Sequence, residues 1–80
     1  MTAEPRRFVV YGFASVHDAL GAESALRDAG LAVTAIPSPR ELGELCGVAL
    51  RMDPALASAA EVVFASAGTT PRATAQIDDL

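Results

Sequence analysis

Phe8-Val-Val-Tyr-Gly-Phe-Ala-Ser-Val-His-Asp-Ala-Leu20 holds a strand, a helix start and the first helical turn in one run. Its first six residues are β-branched or aromatic apart from Gly12, which predicts a strand over Phe8–Phe13. Ser15 has the side chain of a helix N-cap. Asp18, three residues on, suits the positive end of the helix dipole. The helix is expected over Val16 to Ala29. Val16, Ala19, Leu20, Leu26 and Ala29 fall at helical spacing, with Glu23 the polar interruption of that stripe. Gly30 is the expected left-handed residue just past its end.

Outward from that unit the pattern repeats with one addition. Leu31 to Ile36 reads as a second strand, ended by Pro37. Ser38-Pro39-Arg40-Glu41 has the form of a capping box, with Ser38 as cap, Pro39 at the first helical position and Glu41 at the third. Gly43 and Gly47 limit this helix to about two turns. Gly47 to Met52 is the third strand. Asp53-Pro54 opens a second long helix, with Leu56, Ala60, Val63, Phe64 and Ala67 as its apolar stripe and Gly68 as its stop. Thr69-Thr70-Pro71 is a loop, and Ala73 to Ile77 the last strand. Residues 1–7 and 78–80 are expected to be flexible segments on either side of one domain over 8–77.

The order β-α-β, short helix, β-α-β predicts an α+β fold on the ferredoxin-like, split βαβ plan. In that plan four antiparallel strands carry two helices on one face. The competing arrangement is a small open α/β sheet with a different strand order. The first strand is apolar on both sides. Phe8 and Val10 point one way and Val9, Tyr11 and Phe13 the other. Helices cover one face only, so an apolar surface is left over. Val9, Tyr11 and Phe13 are the residues expected to need a cover, and a homodimer through that sheet face would supply it.

Bulk properties narrow the function. Eighty residues make a single domain that buries only about 60% of its unfolded surface. Hydrophobic content is 51%, too high for a disordered chain. There are 17 alanines and no lysine, read as a bias of the source genome. Net charge is −4, with no run of one sign. No basic patch with interleaved aromatics points to nucleic acid, and the acidic balance argues against an anionic membrane surface. No apolar stretch approaches the ~18 to 20 residues of a transmembrane helix. No secretory signal is recognisable near the start, so a cytoplasmic protein is expected. One cysteine cannot close an internal disulfide. One cysteine and one histidine cannot complete a four-ligand zinc site. No cofactor is implied, no phosphate-binding glycine loop is present, and His17 falls on a helix surface.

Cys46 is therefore the distinctive group. A thiolate is a strong nucleophile and can hold a terminal sulfur as a persulfide. Gly47 beside it leaves room for a partner to approach. The competing reading is a structural cysteine, packed as a small hydrophobe. If Ser38-Pro39 opens a helix, Cys46 lies at that helix's C-terminal end, where the dipole disfavours an anion. Arg40 and Arg51 are the nearest cations in sequence. Each has an ordinary alternative, Arg40 as an exposed first-turn residue and Arg51 on the solvated face of a strand.

Phe13-Ala-Ser-Val-His-Asp-Ala-Leu20, Glu23, Gly30, Ile36-Pro-Ser-Pro-Arg-Glu41 and Cys46-Gly-Val-Ala-Leu-Arg51 together resemble the selenium/sulfur (Se/S) carrier protein-like family, formerly a domain of unknown function. The resemblance covers about residues 8 to 68. Its most specific part is Pro-x-Pro-Arg-Glu followed by Cys-Gly and an apolar strand ending in arginine. It implies a non-enzymatic bacterial carrier with Cys46 as the carrier thiol and Pro39 and Arg40 as the family's Pro-Arg pair. Gly47 and Arg51 support the site. The implied partners are a sulfur or selenium donor, such as a cysteine desulfurase, and an acceptor protein. Members of the family often have serines just before the cysteine. Here Gly43, Glu44 and Leu45 stand there, which removes hydroxyls and adds a carboxylate. The alternative function is a small ligand-binding or protein-interaction module in which Cys46 is structural. An enzyme with Cys46 as nucleophile lacks a base to activate it.

Overall fold

The structure, a computed structural model, describes residues 6–43 and 45–79, with the side chains of Arg6 and Asp79 excepted. Met1 to Pro5, Glu44 and Leu80 lie outside the described residues, so the expectations that fall on them are not addressed. The fold is α+β. Its elements are β1 (Arg6–Gly12), α1 (Val16–Asp28), β2 (Thr34–Pro37), a 3₁₀ turn (Arg40–Leu42), β3 (Val48–Met52), a 3₁₀ turn (Pro54–Leu56), α2 (Ala57–Ala67) and β4 (Ala73–Asp79). The four strands form one antiparallel sheet in the order β2-β3-β1-β4.

The local signals account for most of these boundaries. The Ser15 hydroxyl accepts the Asp18 N–H at 3.1 Å and starts α1. The Asp53 carboxylate accepts the Ala55 N–H at 2.9 Å, with Pro54 in the first position of the 3₁₀ turn that leads into α2. Gly30 and Gly68 take positive φ values of 81° and 73° after the two helices, which suits residues without a Cβ. β2 is shorter than expected, starting at Thr34 instead of Leu31. β1 begins at Arg6 and β4 continues to Asp79, beyond the limits at 8 and 77. The extension has a physical cause: Arg7 opposes Asp78 in the register, and its Nε donates to the Asp78 carboxylate at 3.1 Å.

The helix expected after Pro37 does not form. A single 3₁₀ turn stands there, Ser38 makes no cap, and Gly43 reverses the chain at φ 78°. The Ser38 hydroxyl is buried without a hydrogen-bond partner among the described residues. Long-range packing decides this segment. Leu42 is buried with Val10 and Ala49, and Leu45 packs against the same group. A lone short helix has little stability of its own to set against that contact.

The same contact corrects the assignment of strand faces. Val9, Tyr11 and Phe13 lie under the helices, in one cluster with Ala19, Ala22 and Leu26 of α1, Leu50 and Met52 of β3, and Ala60 and Phe64 of α2. The Phe64 ring meets Tyr11 and Phe13 edge to face, at centroid distances of 5.0 and 5.8 Å. Burial, and then the Glu61 carboxylate, push the Tyr11 phenol above its ordinary pKa. The second face of β1 is the one with Phe8 and Val10. Val10 is only 1% exposed because the 3₁₀ turn and Leu45 fold back across it. The residues that called for a dimer cover are thus already buried. On the helices, Val16 and Leu20 belong to the expected α1 stripe but are 45% and 51% exposed, whereas Ala22 is buried. The small alanines let α1 sit close to the sheet, and the burial stripe shifts toward them.

Gly12 marks the closest approach of the returning segment. A Cβ there would stand 2.6 Å from Leu45 Cδ1 and 3.0 Å from Leu42 Cδ1. Both atoms are ends of flexible side chains, so they can shift. Gly12→Ala is expected to cost about 1 kcal/mol, the low end for overpacking a core. The same displacement should raise the alkylation rate of the adjacent Cys46. Urea melts and thiol alkylation of the folded variant check both effects. An unchanged alkylation rate would mean that Leu45 does not hold the cysteine segment down.

Candidate functional site

Cys46 sits where the segment from Ser38 to Gly47 climbs back from the second face to enter β3. Leu45 packs with the second-face cluster, and Cys46 packs against the helix-side cluster. These two neighbours therefore face opposite sides of the sheet, as successive residues of an extended stretch do. Three hydrogen bonds fix the stretch. The Cys46 N–H donates to the Phe13 carbonyl at 3.4 Å, the Ser38 N–H donates to the Gly47 carbonyl at 3.0 Å, and the thiol donates to the Val48 carbonyl at 3.2 Å. The sulfur is half-buried and free of any disulfide.

The expected opposition from a helix C-terminus is absent. Among the described residues the helical turn of this segment ends at Leu42, and the reversal at Gly43 comes before Cys46. Gly47 is exposed, and nothing lies within 4 Å of the position its Cβ would take. An apolar depression of about 270 Å³, lined by Ile36, Pro37, Gly47 and Val48, opens beside it at the β2 edge. A partner reaching the thiol from that side meets no bulky side chain at position 47.

The other expected site residues divide. Pro39 and Arg40 share the cysteine's segment. Pro39 is half-buried ahead of the 3₁₀ turn, and Arg40 is exposed within it. The Arg40 carbonyl accepts the Gly43 N–H and so helps to close the turn. Arg51 is not brought to the thiol. It opposes Val10 in the register and so shares the second face, where its guanidinium stacks 4.4 Å from the Phe8 ring centroid. Five residues of extended chain separate it from Cys46, about 17 Å at the usual strand rise. Arg51 instead lines a cleft of about 570 Å³ at the other end of the sheet, with Arg27, Phe8 and Met52 among its neighbours. His17 is exposed on the first turn of α1. Glu44, the carboxylate two residues before Cys46 in sequence, is outside the described residues.

Sequence reasoning missed Leu42 and Leu45 as the residues that position the cysteine. Their signal was present as two apolar residues on either side of Gly43-Glu44, in a stretch too short to bury them by itself.

Residues 9–76 match the family described as "Putative Se/S carrier protein-like". The chain belongs to that family. The match takes in the second half of β1, the cysteine segment and both helices, so the Se/S carrier-like domain accounts for nearly the whole chain. No curated protein and no solved structure matches it. Among the described residues no helix is long and apolar enough to cross a membrane.

Proposed function

We propose that this Se/S carrier-like protein carries sulfur or selenium on Cys46 and is not itself an enzyme. One observation carries the reading: the family's description is that of a carrier, and the chain's sole thiol stands half-exposed beside a glycine that leaves its approach open. The Cys46 thiolate attacks the terminal sulfur of a persulfide on the donor, a protein such as a cysteine desulfurase. The donor's S–S bond breaks, its cysteine leaves as a thiolate, and Cys46 holds the new persulfide. An acceptor thiolate then attacks that terminal sulfur and releases Cys46. Each exchange is redox-neutral, and selenium follows the same course. One cysteine suffices because the second sulfur always belongs to the partner.

Arg40 supports the exchange as a nearby exposed cation that can steer an anionic partner group. The strand order, with β1 and β3 central, agrees with the ferredoxin-like plan. A cytoplasmic setting suits an unpaired thiol, which stays reduced there.

Mass spectrometry after incubation with a cysteine desulfurase and cysteine tests the proposal. The expected product is a chain heavier by one sulfur, lost on treatment with dithiothreitol. No added mass under conditions that load another sulfur acceptor would count against the carrier.

A second reading has its own support. The Val48 hydrogen bond and the contact with the Phe13 cluster are what a structural cysteine would make. Native alkylation separates the two. A carrier thiol should react with iodoacetamide far faster than the chain unfolds. Alkylation as slow as global unfolding would make Cys46 structural.

A further inference from the structure

The two edges of the sheet are not alike. β2 is four residues long and ends in Pro37. β4 has seven residues, no proline, and, among the described residues, β1 as its one neighbour in the sheet. A long, unblunted edge presents a row of unpaired N–H and C=O groups to a partner strand.

Which groups face outward follows from the register. The Ser38 N–H bonds the Gly47 carbonyl, in line with the pairing of Pro37 with Val48. Gly47, Ala49 and Arg51 therefore turn their backbone groups toward β2, and Val48, Leu50 and Met52 turn theirs toward β1. The β1–β3 register then directs Val9 and Tyr11 to β3, and Phe8, Val10 and Gly12 to β4. The Gly12 carbonyl accepts the Arg72 N–H at 2.8 Å, which confirms that Gly12 turns toward β4 and sets Arg72, just before the strand, off the regular ladder. Ala73, Ala75 and Ile77 thus bond to β1, and Thr74, Gln76 and Asp78 point their backbone groups outward. By the same alternation Ala35 and Pro37 face out on β2, where Pro37 has no N–H to offer.

We infer that β4 pairs antiparallel with β4 of a second copy of this chain, joining two sheets into one. Charge selects the register. Arg72 precedes the strand and Asp78 lies near its end, both exposed, and Asp78 meets Arg7 of its own chain through Oδ1, so the partner's arginine would share that carboxylate. A two-fold axis at Ala75 sets Arg72 against Asp78 of the partner subunit, and the reverse. In that register Thr74 opposes Gln76 of the partner subunit, and each such pair exchanges both its N–H···O=C bonds. The second face also becomes continuous. Ala73, Ala75 and Ile77 are half-buried and pack against the Val10 cluster. Pairing places Ala73 beside Ile77 of the partner subunit and Ala75 beside its own copy. The apolar strip then runs unbroken across the junction. The contact uses the edge of the sheet, not the face already covered by Leu42.

Sedimentation of the full chain over a micromolar series tests this, with three variants. Gln76→Pro removes an outward N–H, along with an exposed side-chain oxygen that accepts from Arg7 Nη1 at 3.4 Å, a substitution an edge strand accepts. It should give a folded monomer. Arg72→Glu should weaken association by up to about ten-fold, because two exposed ion pairs are lost. Ala75→Cys in a Cys46→Ser background should oxidise to a covalent dimer, since the facing Cα atoms would stand about 4.5 Å apart, within disulfide range. A native chain that stays monomeric to 100 µM (roughly a weak-interface limit) overturns the inference. So does a Gln76→Pro chain that is folded and still dimeric. If Gln76→Pro fails to fold, the cross-link decides: no covalent dimer means the edges do not meet at Ala75.

Discussion

Cys46→Ser is expected to abolish desulfurase-dependent sulfur loading and to leave the fold nearly as stable as before. Serine is close to isosteric with cysteine, and its oxygen cannot hold a transferable sulfur. The structure sharpens the stability side. A serine hydroxyl at position 46 can donate to the Val48 carbonyl in place of the thiol, whose bond is 3.2 Å long. It is therefore not left unpaired and avoids the roughly 1 to 3 kcal/mol of an unsatisfied buried group. The half-buried setting leaves a loss of about 0.5 to 1 kcal/mol from exchanging sulfur for a more polar atom. Arg40→Ala should slow loading without removing it, because a cation outside the bond-making atoms changes only a rate. Radiolabelled cysteine with a desulfurase, beside a urea melt, reads both quantities. Label retained by the serine variant would rule out Cys46 as the carrier.

Phe64→Ala should be the most damaging single truncation in α2. Phe64 is 3% exposed and joins α2 to β1 through the Tyr11 and Phe13 rings. Removing a buried phenyl typically costs about 3 to 5 kcal/mol. A domain of this size has a total stability of only about 4 to 12 kcal/mol at the usual per-residue values. A large unfolded fraction at 37 °C is the expected result, seen by circular dichroism and thermal melting. Val62, two positions earlier in the same helix, is 70% exposed. Val62→Ala should stay within about 0.5 kcal/mol of the parent. Equal losses from both variants would mean that α2 is not seated through Phe64.

The two long helices were legible because their signals are local, whereas the strand order, left open between two arrangements, depends on pairings between distant segments. Ser15, Asp53 and Gly68 act on the residues next to them, and each does in the structure what its type predicts. Two further features were not legible, for the same reason. Alternation along β1 separates Phe8 and Val10 from Val9, Tyr11 and Phe13, but it cannot say which set the helices take. Ser38-Pro39-Arg40-Glu41 has the letters of a helix start, yet Leu42 and Leu45 gain more from reaching Val10 across the sheet than from a short helix. Both outcomes depend on contacts between residues distant in sequence. At the candidate site, Cys46 and its open neighbour Gly47 could be named from the sequence. Arg51 could not be excluded, because its separation from the thiol follows from strand length and side alternation once the register is known.

The way Leu42 and Leu45 are seated limits how a thiol in this position can move. Many group carriers mount the cargo on a tether that swings between stations. Here the residues beside Cys46 also roof over Val10, so drawing the sulfur outward would strip apolar surface from the sheet. The cysteine is a fixed berth. For the carrier proposed above, donor and acceptor would each have to dock against the end of the sheet in turn, and the shape around Gly47 would become a shared requirement on two different visitors.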